Sequence, residues 1–329
     1  MLVPILLFIV GLILLIKGGD WFVDGATKLA RRFKIPEIIV GATVVSIGTT
    51  LPEVMVSVSG ALGGQGSMAY GNAIGSIICN TSLIAALIAA LTIAIRPSPV
   101  NTKTLVIPTI FFFAASAIYV VSAYVFGYFY WWVGVILLLI FLAYMFLTVR
   151  SGLKEREIAP EEPETVSDGE KKSPLWLEIV LLVVGAAVIA VGADLLVDNG
   201  TIIAKELGVP ETVIALTFVA LGTSLPELVT AITSLVKGHG SLSLGNVIGA
   251  NIFNLVLVSG SAIALAPFEV PVGNEIFGIN SSLVLDIPLM LAVMAFMIFP
   301  TFFTKKLSRY QGIVLLAVYA AFCTLQFVL

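Results

Sequence analysis

One segment of this chain occurs twice, as Gly48-Thr49-Thr50-Leu51-Pro52-Glu53 and as Gly222-Thr223-Ser224-Leu225-Pro226-Glu227, each inside an apolar stretch long enough to cross a bilayer. The copies stand 174 residues apart (227 minus 53), and the register holds without a gap. Gly18, Asp20, Val23 and Asp24 match Gly192, Asp194, Val197 and Asp198; Pro36, Glu37 and Thr43 match Pro210, Glu211 and Thr217. Gly64, Gly66 and Ser67 match Gly238, Gly240 and Ser241, and Gly71, Asn72, Ile74, Gly75 and Asn80 match Gly245, Asn246, Ile248, Gly249 and Asn254. Shared membrane composition would align leucines and valines, not Pro-Glu pairs and asparagines, so the chain is a duplicated unit.

The solvent for this unit is lipid. Hydrophobic residues fill 59% of 329 positions and charged residues only 11%, against about 25% charged in soluble domains. Long apolar runs separated by short polar turns exclude a barrel, whose strands alternate over about ten residues. Spans of roughly 20 residues fall near 2–24, 38–60, 70–94, 104–125, 129–149, 175–198, 211–236, 242–266, 281–303 and 310–329. The expected fold is therefore all-α, a polytopic membrane protein of about ten helices. The first run has no basic n-region or small-residue cleavage site and reads as a retained span. Cys79 and Cys323 lie in apolar runs and read as core cysteines. A net charge of -3, with most of the acid in one loop, leaves no nucleic-acid footprint, and no protein partner is implied.

Basic residues orient the chain. With the N-terminus outside, Lys28, Arg31, Arg32, Lys34, Arg96, Lys103, Arg150, Lys154, Arg156, Lys171, Lys172, Lys237, Lys305, Lys306 and Arg309 all fall inside, leaving Lys205 outside and Lys17 late in the first span. Residues 151–174 are acidic and proline-bearing, unable to bury a core, and read as a flexible cytoplasmic linker. It divides the chain into residues 1–150 and 175–329, five spans each. Because five is odd, the second half enters the membrane from the opposite side: an inverted repeat, in which substrate sites lie near the midplane at broken helices.

An ionised carboxylate at the centre of a membrane helix costs roughly 2.5 to 3.5 kcal/mol, so Glu53 and Glu227 call for a compensating charge. Pro52 cannot donate to the Gly48 carbonyl and disturbs the turn at Thr49; Pro226 is expected to do the same to Gly222 and Thr223. Ser46, Thr49, Thr50 and Glu53 share one helical face, as do Ala220, Thr223, Ser224 and Glu227. On the next helix of each half, Asn72, Ser76 and Asn80, and Asn246, Ala250 and Asn254, are spaced by four, with Gly71, Gly75, Gly245 and Gly249 allowing close packing. Hard oxygen ligands of this kind suit calcium and sodium and nothing here suits zinc or copper. His239, in an inner loop, reads as a solvated or capping side chain, and Asp20, Asp24, Asp194 and Asp198 as interfacial acids.

The two motifs, with Gly71-Asn72-Ala73-Ile74-Gly75-Ser76-Ile77-Ile78-Cys79-Asn80 and Gly245-Asn246-Val247-Ile248-Gly249-Ala250-Asn251-Ile252-Phe253-Asn254, resemble the paired α-repeats of the calcium/cation antiporter superfamily, and among them the prokaryotic sodium/calcium exchangers. The resemblance covers nearly the whole chain. It implies a secondary antiporter of the cell membrane with calcium and sodium as transported ions, no cofactor and no enzymatic activity. It implies calcium bound by Glu53 and Glu227 with backbone oxygens of Thr49 and Thr223. Sodium would be held by Thr50, Ser224, Ser76 and the carbonyls of Ser46 and Ala220, with Asn80 at the middle and Asn72, Asn246 and Asn254 lining the site. It also implies alternating access, the first and sixth helices sliding across a fixed core.

Two positions depart from that pattern. Asn254 stands where many relatives, including potassium-dependent ones, have an aspartate, and Ala250 where a serine commonly helps hold sodium. Two carboxylates still match one calcium; potassium coupling is disfavoured, and the missing hydroxyl bears on sodium stoichiometry. Asn251 points about 100° away from Ala250 around the helix. Proton/calcium exchange uses the same glutamates but goes with a Gly-Asn-x-x-Glu style motif absent here. An intramembrane acid-pair enzyme would need a Gly-x-Gly-Asp segment that the chain also lacks.

Overall fold

A computed structural model describes residues 2–95, 102–158, 174–207, 222–272, 275–276 and 278–328. Helix α1 (Leu2–Phe33) leads to α2 (Glu37–Val40), which runs through a π-helical turn, Gly41–Val45, into α3 (Ser46–Leu62). Next, α4 (Gly66–Cys79) continues through a π turn, Asn80–Ile84, into α5 (Ala85–Ile95), followed by α6 (Thr102–Val121) and α7 (Trp131–Ile158). The second half has α8 (Leu175–Glu206), α9 (Leu225–Val236), and α10 (Gly240–Phe253) continued by the π turn Asn254–Val258 into α11 (Ser259–Leu265). Helices α12 (Ile287–Thr304) and α13 (Arg309–Val328) finish the chain. A short antiparallel pairing of Tyr128–Phe129 with Phe268–Glu269 joins a loop of each half.

Eight helical runs are long and apolar enough to cross a membrane among the described residues. Two shorter apolar helices, Leu225–Val236 and Arg309–Leu325, occupy the places of the seventh and tenth expected spans. The chain is an all-helical membrane protein. The start of the seventh span, with Ala220, Pro210, Glu211 and Thr217, lies outside the described residues, as do Arg96, Lys171 and Lys172. Of the expected linker, residues 151–158 continue α7 as helix, because Leu153, Lys154, Glu155, Arg156 and Glu157 are good helix formers; residues 159–173 are not described.

The first helices of the two halves, α1 and α8, meet along a glycine seam. Gly11, Gly18 and Gly25 are seven apart, so they share one face of α1. A Cβ at Gly11 would come within 2.9 Å of the Gly192 carbonyl, one at Gly18 within 2.8 Å of Ile189 N, and one at Gly25 within 2.8 Å of Leu182 N. Ascending positions on α1 meet descending positions on α8, so the two helices are antiparallel at backbone contact, with glycines making the approach possible. Each helix has 32 residues, about 48 Å, longer than the hydrocarbon core of about 30 Å.

Among the described residues the two larger of three apolar clusters fill most of the interior. The larger gathers Ile74, Ile77, Phe112, Tyr119, Tyr144, Phe253 and Met294 from α4, α6, α7, α10 and α12. The smaller gathers Leu15, Phe22 and Val23 of α1 and Ile189 and Ala193 of α8 against Val40, Val45 and Leu242. Helix α10 lies directly on α2 and its π turn: a Cβ at Gly245 would sit 2.2 Å from the Ile38 carbonyl, and one at Gly249 2.3 Å from Ser46 Oγ. A Cβ at Gly71 or Gly75 would meet no described atom within 4 Å.

Ion pairs gather at the end of the bundle where α1 finishes and α8 begins. Arg32 Nε and a terminal guanidinium nitrogen donate to Glu178 at 2.7 and 2.9 Å. Lys237 reaches Asp24 at 2.7 Å and Asp20 at 3.3 Å. His239 Nδ1 lies 2.8 Å from Glu37 Oε1, and Ser241 Oγ donates to Glu37 Oε2 at 3.2 Å. Asp20, Asp24 and His239 are therefore paired, not merely solvated or capping, because the loop between α9 and α10 folds onto α1 and α2.

Candidate functional site

Helices α3 and α9 carry the duplicated glutamates, and α4 and α10 pack across them. Glu53 and Glu227 are both 0% exposed, and their carboxylates interact with one another. Three of their four oxygens, both of Glu53 and Oε2 of Glu227, accept no hydrogen bond from the protein. The fourth, Glu227 Oε1, accepts from Thr50 Oγ1 at 3.4 Å, and the Thr49 hydroxyl also lies against Glu227. Hydroxyls of the first copy thus face the carboxylate of the second.

The remaining expected residues divide by what their polar atoms do. Ser46 Oγ lies 2.7 Å from the Gly41 carbonyl, 3.0 Å from the Asn246 carbonyl and 3.4 Å from Asn246 Oδ1. Thr49 Oγ1 is 3.4 Å from the same Oδ1. Ser224 Oγ and Ser76 Oγ approach to 3.5 Å across the repeats. Asn80 and Asn254 are fully buried, and every amide atom of both lacks a partner. Each is the first residue of a π turn, a local widening that recurs at functional sites. Asn72 has a different job: its amide nitrogen donates to the Glu53 carbonyl at 3.1 Å and to Ser57 Oγ at 2.8 Å, so this amide braces α4 on α3 instead of turning to a carboxylate. Ser57 was not anticipated, though it stands one turn beyond Glu53 on the same face.

Ala250 is fully buried, and its missing hydroxyl has no substitute in Asn251. That amide donates to Thr81 Oγ1 at 2.7 Å, beside Met294, away from the glutamates as the helical period requires. Thr223 is half-buried in a turn; Ala220 is not described.

The two prolines act differently. Helix α3 runs unbroken through Pro52, so the first copy loses one backbone hydrogen bond without a break. In the second copy the chain turns at Thr223 and Ser224, and Pro226 sits in the first turn of α9, where no amide hydrogen is needed. The expected helix break occurs in one copy only.

Among the described residues, eight of the fifteen buried side-chain atoms without a hydrogen-bond partner belong to Glu53, Glu227, Asn80, Asn246 and Asn254, so unmet polar capacity is concentrated here. No three His, Cys, Asp or Glu side chains cluster as a metal centre among the described residues. The sequence matches the family described as sodium/calcium exchanger protein over residues 3–150 and 177–328. This chain belongs to the sodium/calcium exchanger family. It is 34% identical to an uncharacterised membrane protein of Methanocaldococcus jannaschii, covering 95% of this chain and 94% of that one. It is 37% identical to the inner membrane protein YrbG of Escherichia coli over 82% of each chain, and 29% identical to the sodium/calcium exchanger MaX1 of Methanosarcina acetivorans over 99% of each. Its fold matches the sodium-calcium exchanger NCX_Mj, soaked with 2.5 mM Na+ and 10 mM Sr2+, at a TM-score of 0.77 with 32% identity and 97% of both chains covered.

Proposed function

We propose that this exchanger moves calcium against sodium through a single midplane site between α3, α4, α9 and α10, with Glu53 and Glu227 shared by both ions. The observation that carries this is the fully buried, mutually facing carboxylate pair with three unpartnered oxygens. Such a pair is unfavourable unless a cation or proton joins it. Backbone oxygens of Thr49 and Thr223 complete the calcium shell. Thr50, Ser76, Ser224 and the carbonyls of Ser46 and Ala220 serve sodium, and Asn80, Asn246 and Asn254 line the centre. Ten spans in two inverted halves, with the N-terminus outside and the linker in the cytoplasm of a cell-membrane protein, agree with the distribution of basic residues. The antiparallel α1–α8 seam and the two matched blocks, 3–150 and 177–328, support the division into repeats. Access alternates between the two faces of the membrane.

Uptake of radiolabelled calcium into proteoliposomes under an outward sodium gradient tests this reading. Sodium-driven uptake that persists without potassium is expected. Uptake driven by a proton gradient alone would overturn it in favour of proton/calcium exchange.

A further inference from the structure

The carboxylates are 0% exposed, so ions reach them only when something covering them moves. The α1–α8 pair lies against both duplicated segments that carry them. The Phe22 ring lies 2.9 Å from where a Cβ would stand on Gly48, and Val197 lies 2.6 Å from the equivalent point on Gly222. This pair is bound to itself by the glycine seam and by Arg32–Glu178, and its apolar cluster reaches the rest of the bundle through Val40, Val45 and Leu242. The ties within the pair do not oppose its movement over the rest of the bundle, and its outward contacts, through residues such as Val40 and Val229, are apolar and without direction.

At one end a tie of another kind exists. Lys237, just after α9, donates to Asp24 Oδ1 at 2.7 Å and to the Asp20 carbonyl at 3.0 Å, and stands 3.3 Å from Asp20 Oδ1. The repeat counterpart of Lys237 is Gly63 (237 minus 174). Both residues close their helix with nearly the same backbone, φ -77° and ψ 0° for Lys237, φ -77° and ψ 5° for Gly63. Each precedes a left-handed glycine, Gly238 at φ 86° and Gly64 at φ 77°. The turn is duplicated; the lysine is not. The acids are duplicated too, as Asp194 and Asp198, but their counterpart of the lysine has no side chain.

We propose that Lys237, with Asp20 and Asp24, is a latch that holds the α1–α8 pair against α9 at the end where α1 finishes. It biases the exchanger toward opening its site at the opposite end. The proposal rests on the transport reading above. Its side chains are partly exposed, 27% for Lys237 and 37% and 45% for Asp20 and Asp24, so the bias is modest, about fivefold.

The test is the half-saturating calcium concentration on each membrane face of the full chain in oriented proteoliposomes, expressed as a ratio. Lys237→Gln and Asp24→Asn should each shift that ratio about fivefold, in the direction of easier access at the latched end. The charge swap Lys237→Asp with Asp24→Lys should return it toward the parent. Asp24→Asn leaves the α9–α10 loop untouched, so a folding defect in the lysine variant does not remove the test. Variants that transport calcium with an unchanged ratio overturn the latch and leave the exchange reading standing. A parent chain with no sodium-driven uptake overturns the exchange reading, and the latch with it.

Discussion

The two copies of the Gly-Thr-x-Leu-Pro-Glu segment deliver carboxylates to one point but hold them by different means. In the first copy the helix is continuous, and Ser46, Thr49 and Thr50 are all buried with their hydroxyls against protein oxygens, two of them beside Glu227. In the second the helix starts afresh at Leu225, Thr223 is half-buried, and the neighbouring helix offers Ala250 where its counterpart has Ser76. Charge is therefore shared equally between the repeats, while among the described residues the neutral oxygens near the pair are weighted toward the first. Calcium, which needs the charge, should read the site as symmetric. Sodium, which depends more on neutral oxygens, should not.

The strongest way to break this comparison is to neutralise each carboxylate. Glu53→Gln and Glu227→Gln should each reduce calcium exchange by about 100-fold or more, to similar extents, because either change leaves one negative charge for a divalent ion. Flux measurements that find one variant near parental activity would end the claim of shared charge. Asn254→Asp adds a third acid on the second-repeat side and should tighten half-saturating calcium by about tenfold, since affinity follows ligand charge count; equilibrium calcium binding reads it directly. Thr50→Val removes a hydroxyl from a buried carboxylate and should weaken sodium-driven exchange by about tenfold, against about threefold for Ser224→Ala. Equal effects would remove the weighting toward the first copy. Ala250→Ser restores the missing symmetry and should lower half-saturating sodium by about threefold, with a steeper sodium dependence. The smallest effect belongs to Gly63→Lys, which supplies the absent counterpart of Lys237; it should move the sided calcium ratio about twofold, opposite to Lys237→Gln.

Much of this site was legible because its identities are chemically improbable where they stand. Glutamates, asparagines and threonines in apolar runs are expensive, and finding them twice in one register left a paired cation site as the economical explanation. Helix existence was equally legible, since hydropathy and length alone decide it in lipid. Partner choice was not. Nothing in the sequence says that Thr50 turns to Glu227, that the Asn72 amide braces α3 through Ser57, or that the Asn251 amide turns toward Thr81 and Met294. Those contacts cross between helices far apart in the chain, and helical period fixes only which face a residue occupies, not what that face meets. Proline was misleading in the same way. Pro52 and Pro226 have identical neighbours in sequence, yet one lies within a continuous helix and the other in a first turn.

By itself the sequence determined that this protein spans a membrane as a duplicated all-helical unit, and it singled out two carboxylates set in apolar runs. Lipid forces every backbone group into helices, and a charge in lipid must be answered. Only the tertiary structure decided that the two glutamates meet, that hydroxyls of one repeat lie against the carboxylate of the other, and that Lys237 after α9 pairs with Asp20 and Asp24 of α1. Each of these depends on which helices touch, and in a bundle that follows from the close approach of backbones at Gly11, Gly18, Gly25, Gly185, Gly192, Gly245 and Gly249, a property of packed pairs and not of any single span.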